Sequence, residues 1–336
     1  AHVSYERQLP LTSQVIEDAF ARIAKMPLAT PVSVMPSEEE GYRMRARLHV
    51  KDGVFGFFRE GTHDLCDAGP TRQLLPETIG ALQKLQSALG PTRAASCELS
   101  ENAAATGRAV LLELEPSENI PLHMDAIEGI SGLLFADHQS GHPAVAYGSP
   151  YVTEHIAAST GPVALTHHVQ SFFQGNRYLL PELVSRVLAH VPAGTVMDLY
   201  AGVGLFAASL ASQGQRQIVA VEGDRSSARD LEENAEAYGS AIHVQHLSVE
   251  NYLQRRGVER PDAVVLDPPR TGMSREALSG LLGLKVPRVV YLSCDPATLA
   301  RDVRRFSEAG YRVDHIEAFD LFPNTAHVET LAILTL

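Results

Sequence analysis

Cysteine is scarce in this 336-residue chain: Cys66, Cys97 and Cys294 are its three, and none forms a CxxC pair. That excludes a disulfide framework and a complete zinc site of the CxxC type, and reduced thiols are expected. Long apolar runs are missing too, none approaching the roughly 20 residues that cross a bilayer, so no membrane partner is expected. The opening Ala1-His2-Val3-Ser4-Tyr5 lacks the basic and apolar regions of a secretory signal, and the expected location is cytoplasmic. Positive charge is in deficit, with 28 Lys and Arg against 40 Asp and Glu and a formal net charge of -12. The balance argues against coating nucleic acid by bulk electrostatics but leaves local basic patches open. Arg43, Arg45 and Arg47 would share one face of a strand, and Arg301, Arg304 and Arg305 one face of a helix. Either trio could also be an ordinary solvated face. Repeats and low-complexity tracts are absent.

What is present is 45% hydrophobic residues in a chain long enough for two cores. Residues 12–25 carry Val15, Ile16, Ala19, Phe20 and Ile23 at helical spacing, with Thr12 or Ser13 as N-cap and Pro27 as the stop. Short strands follow: 42–50, a Lys51-Asp52-Gly53 turn, 54–58, 109–113, 132–135 and 144–147, interrupted by a helix at 76–89. After Gly161, helix and strand alternate regularly, with strands expected at 196–200, 218–222, 242–247, 263–267, 289–293, 311–316 and 329–336. The fold class expected is α/β: a Rossmann-like doubly wound sheet with an antiparallel last strand, plus a smaller α+β domain. The last two strands are expected to pair at one edge. The domains expected are an N-terminal helix at 1–28 packing on the last domain, a central α+β domain at 29–160, and an α/β domain at 161–336.

The strand ending in Asp198 leads into Tyr200-Ala201-Gly202-Val203-Gly204, a tight turn whose backbone N–H groups could approach a ligand. Alone it is a weak signal, and Ala207 at the third position leaves a dinucleotide fingerprint open. Asp198, however, would repel a pyrophosphate and suits the positively charged methionine end of S-adenosylmethionine. Glu222 closes the next strand, where an acid can accept ribose hydroxyls. The plainer alternative is that both acids cap the helices that follow.

Cys294 follows the apolar run 289–293 and precedes Asp295-Pro296, at a strand tip where α/β enzymes keep their chemistry. One strand upstream, Asp267-Pro268-Pro269-Arg270 gives a stiff loop. Asp-Pro-Pro starts occur in methyltransferases acting on bases, but Arg270 stands where an amine methyltransferase would have a stacking aromatic. Methylating C5 of a pyrimidine requires a nucleophile at C6, which a thiolate supplies, and a base to remove the C5 proton. Glu329, opening the last strand, could reach the same crevice. The alternatives are a buried structural thiol and a surface edge-strand carboxylate.

The segment Leu292-Ser293-Cys294-Asp295-Pro296-Ala297-Thr298-Leu299-Ala300-Arg301-Asp302 stands between Asp267-Pro268-Pro269-Arg270-x-Gly272 and Phe319-Asp320-x-Phe322-Pro323-x-Thr325-x-His327-x-Glu329. Together these closely resemble the RNA uracil-C5 methyltransferases that make 5-methyluridine, over roughly residues 170–336. The resemblance implies Cys294 as nucleophile, Glu329 as general base, and S-adenosylmethionine held by Gln174, Tyr200, Glu222 and Asp267 alongside the Asp198, Gly202 and Gly204 turn. Gln174 lies in Phe172-Phe173-Gln174-Gly175-Asn176, similar to the family's Phe-x-Gln-x-Asn entry. Two positions depart from the family: Leu205 and Asp295 stand where many members have Asn. A carboxylate beside the thiol would raise its pKa unless paired.

Cys66, in His63-Asp64-Leu65-Cys66-Asp67-Ala68-Gly69-Pro70, lies where iron–sulfur members have the last of four cluster cysteines. One cysteine cannot hold a cluster, so a [4Fe-4S] group is expected only if a longer native chain supplies three more, with Cys66 as its candidate fourth ligand. A lost front segment would also remove basic RNA-binding surface. His63, His123, His138, His142, His167 and His168 show no metal spacing. The partner expected is RNA, ribosomal before transfer RNA, and no protein partner is implied. Rival readings are methylation of cytosine C5 or an exocyclic amine, and an RNA-binding factor with a vestigial cofactor pocket.

Overall fold

Apolar runs of four to eight residues, each closed by a polar turn and followed by an amphipathic segment, become the buried parallel strands of an α/β sheet. The computed structural model describes residues 3–59, 61–90, 93–115, 124–136, 143–158 and 161–336. The chain divides into one unit of residues 1–37, 156–165 and 181–336, and another of 38–155 and 166–180.

The chain enters through α1 (Tyr5–Ala19), which continues as a π-helical turn at Phe20–Ala24 before β1 (Ser33–Met35). The elements β2 (Arg45–Lys51), β3 (Val54–Phe58), β4 (Leu65–Asp67), α2 (Ala68–Thr71), α3 (Pro76–Leu89), β5 (Ala94–Glu101), β6 (Arg108–Leu114), β7 (Gly132–Phe135) and β8 (Ala144–Gly148) follow. A two-stranded ladder of β9 (Tyr151–Ile156) and β10 (Val163–His168) comes next. Then helix and strand alternate: α4 (Leu180–Ala189), β11 (Gly194–Leu199), α5 (Leu205–Ser212), β12 (Arg216–Glu222), α6 (Arg225–Ala235), β13 (Ile242–His246), α7 (Val249–Leu253), β14 (Ala263–Leu266), α8 (Arg275–Leu284), β15 (Arg288–Ser293), α9 (Pro296–Glu308), β16 (Arg312–Phe319) and β17 (Glu329–Thr335).

The first unit carries an eight-stranded sheet ordered β1-β16-β17-β15-β14-β11-β12-β13. Only β17 runs against its neighbours, pairing antiparallel with β15 and β16, so the α/β methyltransferase class expected from the sequence is the fold found. Two expectations need correction. The edge beyond β16 is covered by β1, in parallel register with Ser33 opposite Glu317; a strand from the range 29–160 thus completes the catalytic sheet. The N-terminal helix also begins at Tyr5, not at Thr12, and runs through Pro10. Ser13 is no cap: its hydroxyl donates to Glu17 Oε1 and to the Val32 carbonyl, each at 2.7 Å. Tertiary packing outweighs the proline, because Ile16 and Phe20 are fully buried in the same core as Leu299, Val303 and Phe306 of α9.

The second unit is a seven-stranded sheet ordered β4-β3-β2-β5-β6-β7-β8, packed through Leu82, Leu85 and Leu89 of α3. Asp52 and Gly53 both take positive φ, +51° and +77°, which a two-residue hairpin turn requires. At its centre the buried Glu101 carboxylate accepts from Thr78, Arg108 and Arg177.

Candidate active site

Sheet register sets the site. β14 lies between β11 and β15, with Leu266 opposite both Leu199 and Tyr291. Asp267, one residue on, therefore emerges beside Tyr200 at the carboxyl edge. Antiparallel β17 delivers its first residue to that edge: Ser293 pairs with Thr330, so Cys294 and Glu329 are the next residues in line. Glu329 is also opposite Phe319 of β16, and the turn before it is closed by Thr325, whose hydroxyl donates to the Phe322 carbonyl at 2.7 Å.

Cys294 is half-buried between β15 and α9. Burial, then the negative charges of Glu329 and Asp267, push its thiol up to about 11, with Arg270 opposing. Asp295 does not contribute, because it is paired, the exception that the sequence reading allowed. Its Oδ1 is spent as the N-cap of α9, accepting from the Thr298 N–H at 2.7 Å. Glu329 is buried with Oε1 lacking any hydrogen-bond partner among the described residues. Burial and the adjacent Asp267 hold its carboxyl well above the usual range.

The cofactor turn fits a cationic ligand. Asp198 is fully buried and neither oxygen has a partner in hydrogen-bonding geometry. Burial raises its carboxyl to about 8, the Ala207 N–H opposing and Asp267 and Glu222 adding to the rise. Leaving such a group unsatisfied costs about 1–3 kcal/mol. Glu222 differs, because its two oxygens accept from the Gly202 N–H at 2.8 Å and the Asp224 N–H at 2.7 Å. Neither acid caps the helix that follows it: α5 starts at Gly204 without a side-chain cap and α6 is capped by Asp224. Tyr200 and Gly202 hold φ of +63° and +55°, and nothing lies within 4 Å of where a Cβ on Gly202 would stand. Gly204 also holds a positive φ, +94°, and a Cβ there would in addition stand 2.7 Å from Leu231 Cδ1. Leu205, at the family's departure, is a buried residue of α5.

Asp302 is the residue whose role sequence reasoning missed. Its Oδ2 accepts from the Tyr291 hydroxyl at 2.7 Å and the Met273 N–H at 3.0 Å, and its Oδ1 from Arg301 Nε at 2.8 Å. Arg301 Nη2 in turn donates to the carbonyls of Thr271 and Met273. The Pro-Pro-Arg loop is thereby tied to β15 and α9, and Gly272 is required, since a Cβ there would meet Arg301 Nη2 at 2.6 Å and Asp302 Oδ2 at 2.7 Å. The available signal was a carboxylate inside the apolar stripe Leu299, Val303, Phe306. Beside this loop lies a cleft of about 1050 Å³, lined by Tyr200, Pro269, Met273, Arg275, Arg301 and Arg305. Of the basic helical trio, Arg301 serves the loop, while Arg304 and Arg305 pair with Glu308.

Other predicted residues lie in the second unit. Gln174 is buried there. Arg45 lies over the exposed Phe172 ring at 5.8 Å, Arg43 over Phe57 at 5.5 Å, and Arg47 is 3.8 Å from Glu113. Cys66 is part-exposed on β4, while Cys97 is fully buried; this chain's own cysteines do not fit a four-thiolate cluster. His167 is buried and stacked on Phe173 at 4.5 Å. His123, His138 and His142 lie outside the described residues.

A family model described as tRNA (Uracil-5-)-methyltransferase matches residues 139–336. An uncharacterized RNA methyltransferase of Streptomyces coelicolor is 31% identical to the chain, over 99% of this chain and 74% of its own length. One from Aquifex aeolicus is 27% identical over 99% of this chain and 80% of its own. Among solved structures, the Pyrococcus abyssi tRNA (uracil-54, C5)-methyltransferase in complex with S-adenosyl-L-homocysteine matches with a TM-score of 0.81 at 24% identity, covering 99% of this chain and 84% of that one. The chain belongs to the RNA uracil-5-methyltransferase family and is an RNA methyltransferase.

Proposed function

We propose, for this family member, transfer of a methyl group from S-adenosylmethionine to C5 of a uridine in ribosomal RNA. The observation that carries the reading is the convergence of Cys294, Glu329 and Asp267 at one sheet edge, where both acids raise the thiol and Asp267 raises Glu329. A nucleophile and a buried proton acceptor on adjacent antiparallel strands suit addition at C6 and proton removal at C5.

Asp198, Tyr200, Gly202, Gly204, Glu222 and Asp267 are the residues proposed to hold S-adenosylmethionine. The unpartnered Asp198 oxygens and the open space at Gly202 support that assignment. When bound, the cofactor supplies an electrophilic methyl group on a sulfonium. Cys294 adds its sulfur to C6 of the flipped-out base, sending the C5–C6 π electrons to C5, where the new carbon–carbon bond forms. Glu329 then takes the C5 proton, the double bond re-forms, and the C6–S bond breaks to release the Cys294 thiolate. In the free site burial and the neighbouring acids push both groups up, and a positive charge held beside Asp267 would oppose that rise and favour the ionised nucleophile and base.

The second unit is proposed to position RNA, with Arg45 and the exposed Phe172 as a stacking platform. The ribosomal assignment is supported by Cys66 and its flanking residues; the names of the matched family and of the Pyrococcus abyssi enzyme point to transfer RNA as the alternative. The test is trapping with 5-fluorouridine-containing ribosomal and transfer RNA fragments and S-adenosylmethionine. Fluorine at C5 cannot leave as a proton, so a denaturation-resistant, methylated adduct should form, and Cys294→Ala should abolish it. An adduct with transfer RNA alone overturns the ribosomal assignment. Full methylation by Cys294→Ala on ordinary RNA overturns the mechanism.

A further inference from the structure

We infer that His190, His315 and Glu317 form a binding site for a divalent transition-metal ion of the zinc class where the end of α4 meets β16. The inference is independent of the methyl-transfer reading. His315 and Glu317 are two apart on β16 and share a face, while the intervening Ile316 and the following Ala318 belong to the apolar core on the other side. His190 is the residue after α4, one turn beyond Arg186.

One ligand atom from each of the three lies within 4.8 Å of the others. His315 Nε2 stands 3.4 Å from Glu317 Oε1, close to the roughly 3.3–3.4 Å separating two ligands of a tetrahedral ion bound at about 2.0–2.1 Å. The imidazoles of His190 and His315 stack with centroids 5.4 Å apart. Glu317 is 7% exposed, and its Oε1, turned toward the cluster, has no hydrogen-bond partner. Its other oxygen lies 3.9 Å from Arg186 Nη1, an outer partner that would orient the carboxylate. Two imidazoles and one carboxylate suit zinc and leave a fourth position for water.

The plain alternative is a His315–Glu317 ion pair that takes no metal. The full chain, stripped with chelator, would be titrated with ZnCl2 by calorimetry and with CoCl2 by visible absorption. Expected are one ion per chain, a ligand-field spectrum without thiolate charge transfer, and a higher unfolding temperature with zinc. His315→Ala and Glu317→Gln should each weaken binding more than ~100-fold, beyond the 10–100-fold typical of outer-shell changes. No saturable binding, or equal binding by wild type and both variants, overturns the inference. Should Glu317→Gln fail to fold, His190→Ala at a half-exposed position gives the same decision.

Discussion

Replacing Asp198 by Asn should make the ligand-free protein more stable as pH rises. The carboxyl is fully buried and raised from 3.8 to about 8, so between those values the folded chain holds a proton that the unfolded chain has released. A raised carboxyl contributes stability that is complete below pH 3.8 and is lost as pH climbs toward 8. The slope is about 1.4 kcal/mol per pH unit, and the whole window is worth on the order of 5 kcal/mol. Asn cannot ionise, so the variant lacks this slope, while groups remote from Asp198 contribute equally to both proteins. Between pH 5 and 8 the variant should gain about 4 kcal/mol on the wild type. For a unit of this size that is roughly 10 °C in Tm, measured by calorimetry at several pH values without ligand. Saturating S-adenosylmethionine should reverse the order, because only the carboxylate can meet its positive end. Parallel Tm curves from pH 5 to 8 would refute the assignment of Asp198 as an unpaired buried acid.

Glu329→Gln removes the first charge acting on Cys294, so iodoacetamide should alkylate Cys294 faster at pH 8–9 than in wild type; equal rates would show that the two do not interact. The same variant should accumulate a covalent adduct on ordinary uridine RNA, with turnover down about 10²–10⁴-fold as a lost general base predicts. Gly272→Ala combines a φ of +71° with contacts of 2.6 and 2.7 Å, and displacing the Pro-Pro-Arg loop should cost about 10²-fold in kcat while the far-UV spectrum stays unchanged; wild-type kcat would show the loop does not position the reaction. Glu101→Gln leaves Arg108 and Arg177 without their shared carboxylate, a change worth about 3–5 kcal/mol when one partner of a buried pair is removed, and a loss below 1 kcal/mol in urea unfolding would contradict it.

Elements with local stop signals were legible in the sequence. Helix α3 runs from Pro76 to Leu89 as read, because proline opens it and Gly90 closes it at φ +58°. Strands β3 and β7 match to the residue between polar turns. Elements made by distant contacts were not legible: three residues from Ser33 carry too little periodicity to announce a strand whose partner lies at Glu317, and the start of α1 is decided by burial of Ile16 and Phe20 rather than by a cap. At the site, the ordered motifs pointed to Cys294 and Glu329 as candidates, and left open whether Asp295 is paired. Nothing in the residue order says that its carboxylate turns toward Thr298 while Asp267 and Glu329 face the thiol.

The pairing of β1 with β16 bears on how the chain is made. The two strands are about 280 residues apart, so at roughly 5–20 residues per second the opening segment waits some 15–55 seconds on the ribosome for its partner. During that interval Ile16 and Phe20 have no α9 to cover them. The unit built on β2 to β8 is meanwhile free to fold, and the catalytic sheet closes only when β16 has been made and can pair with β1.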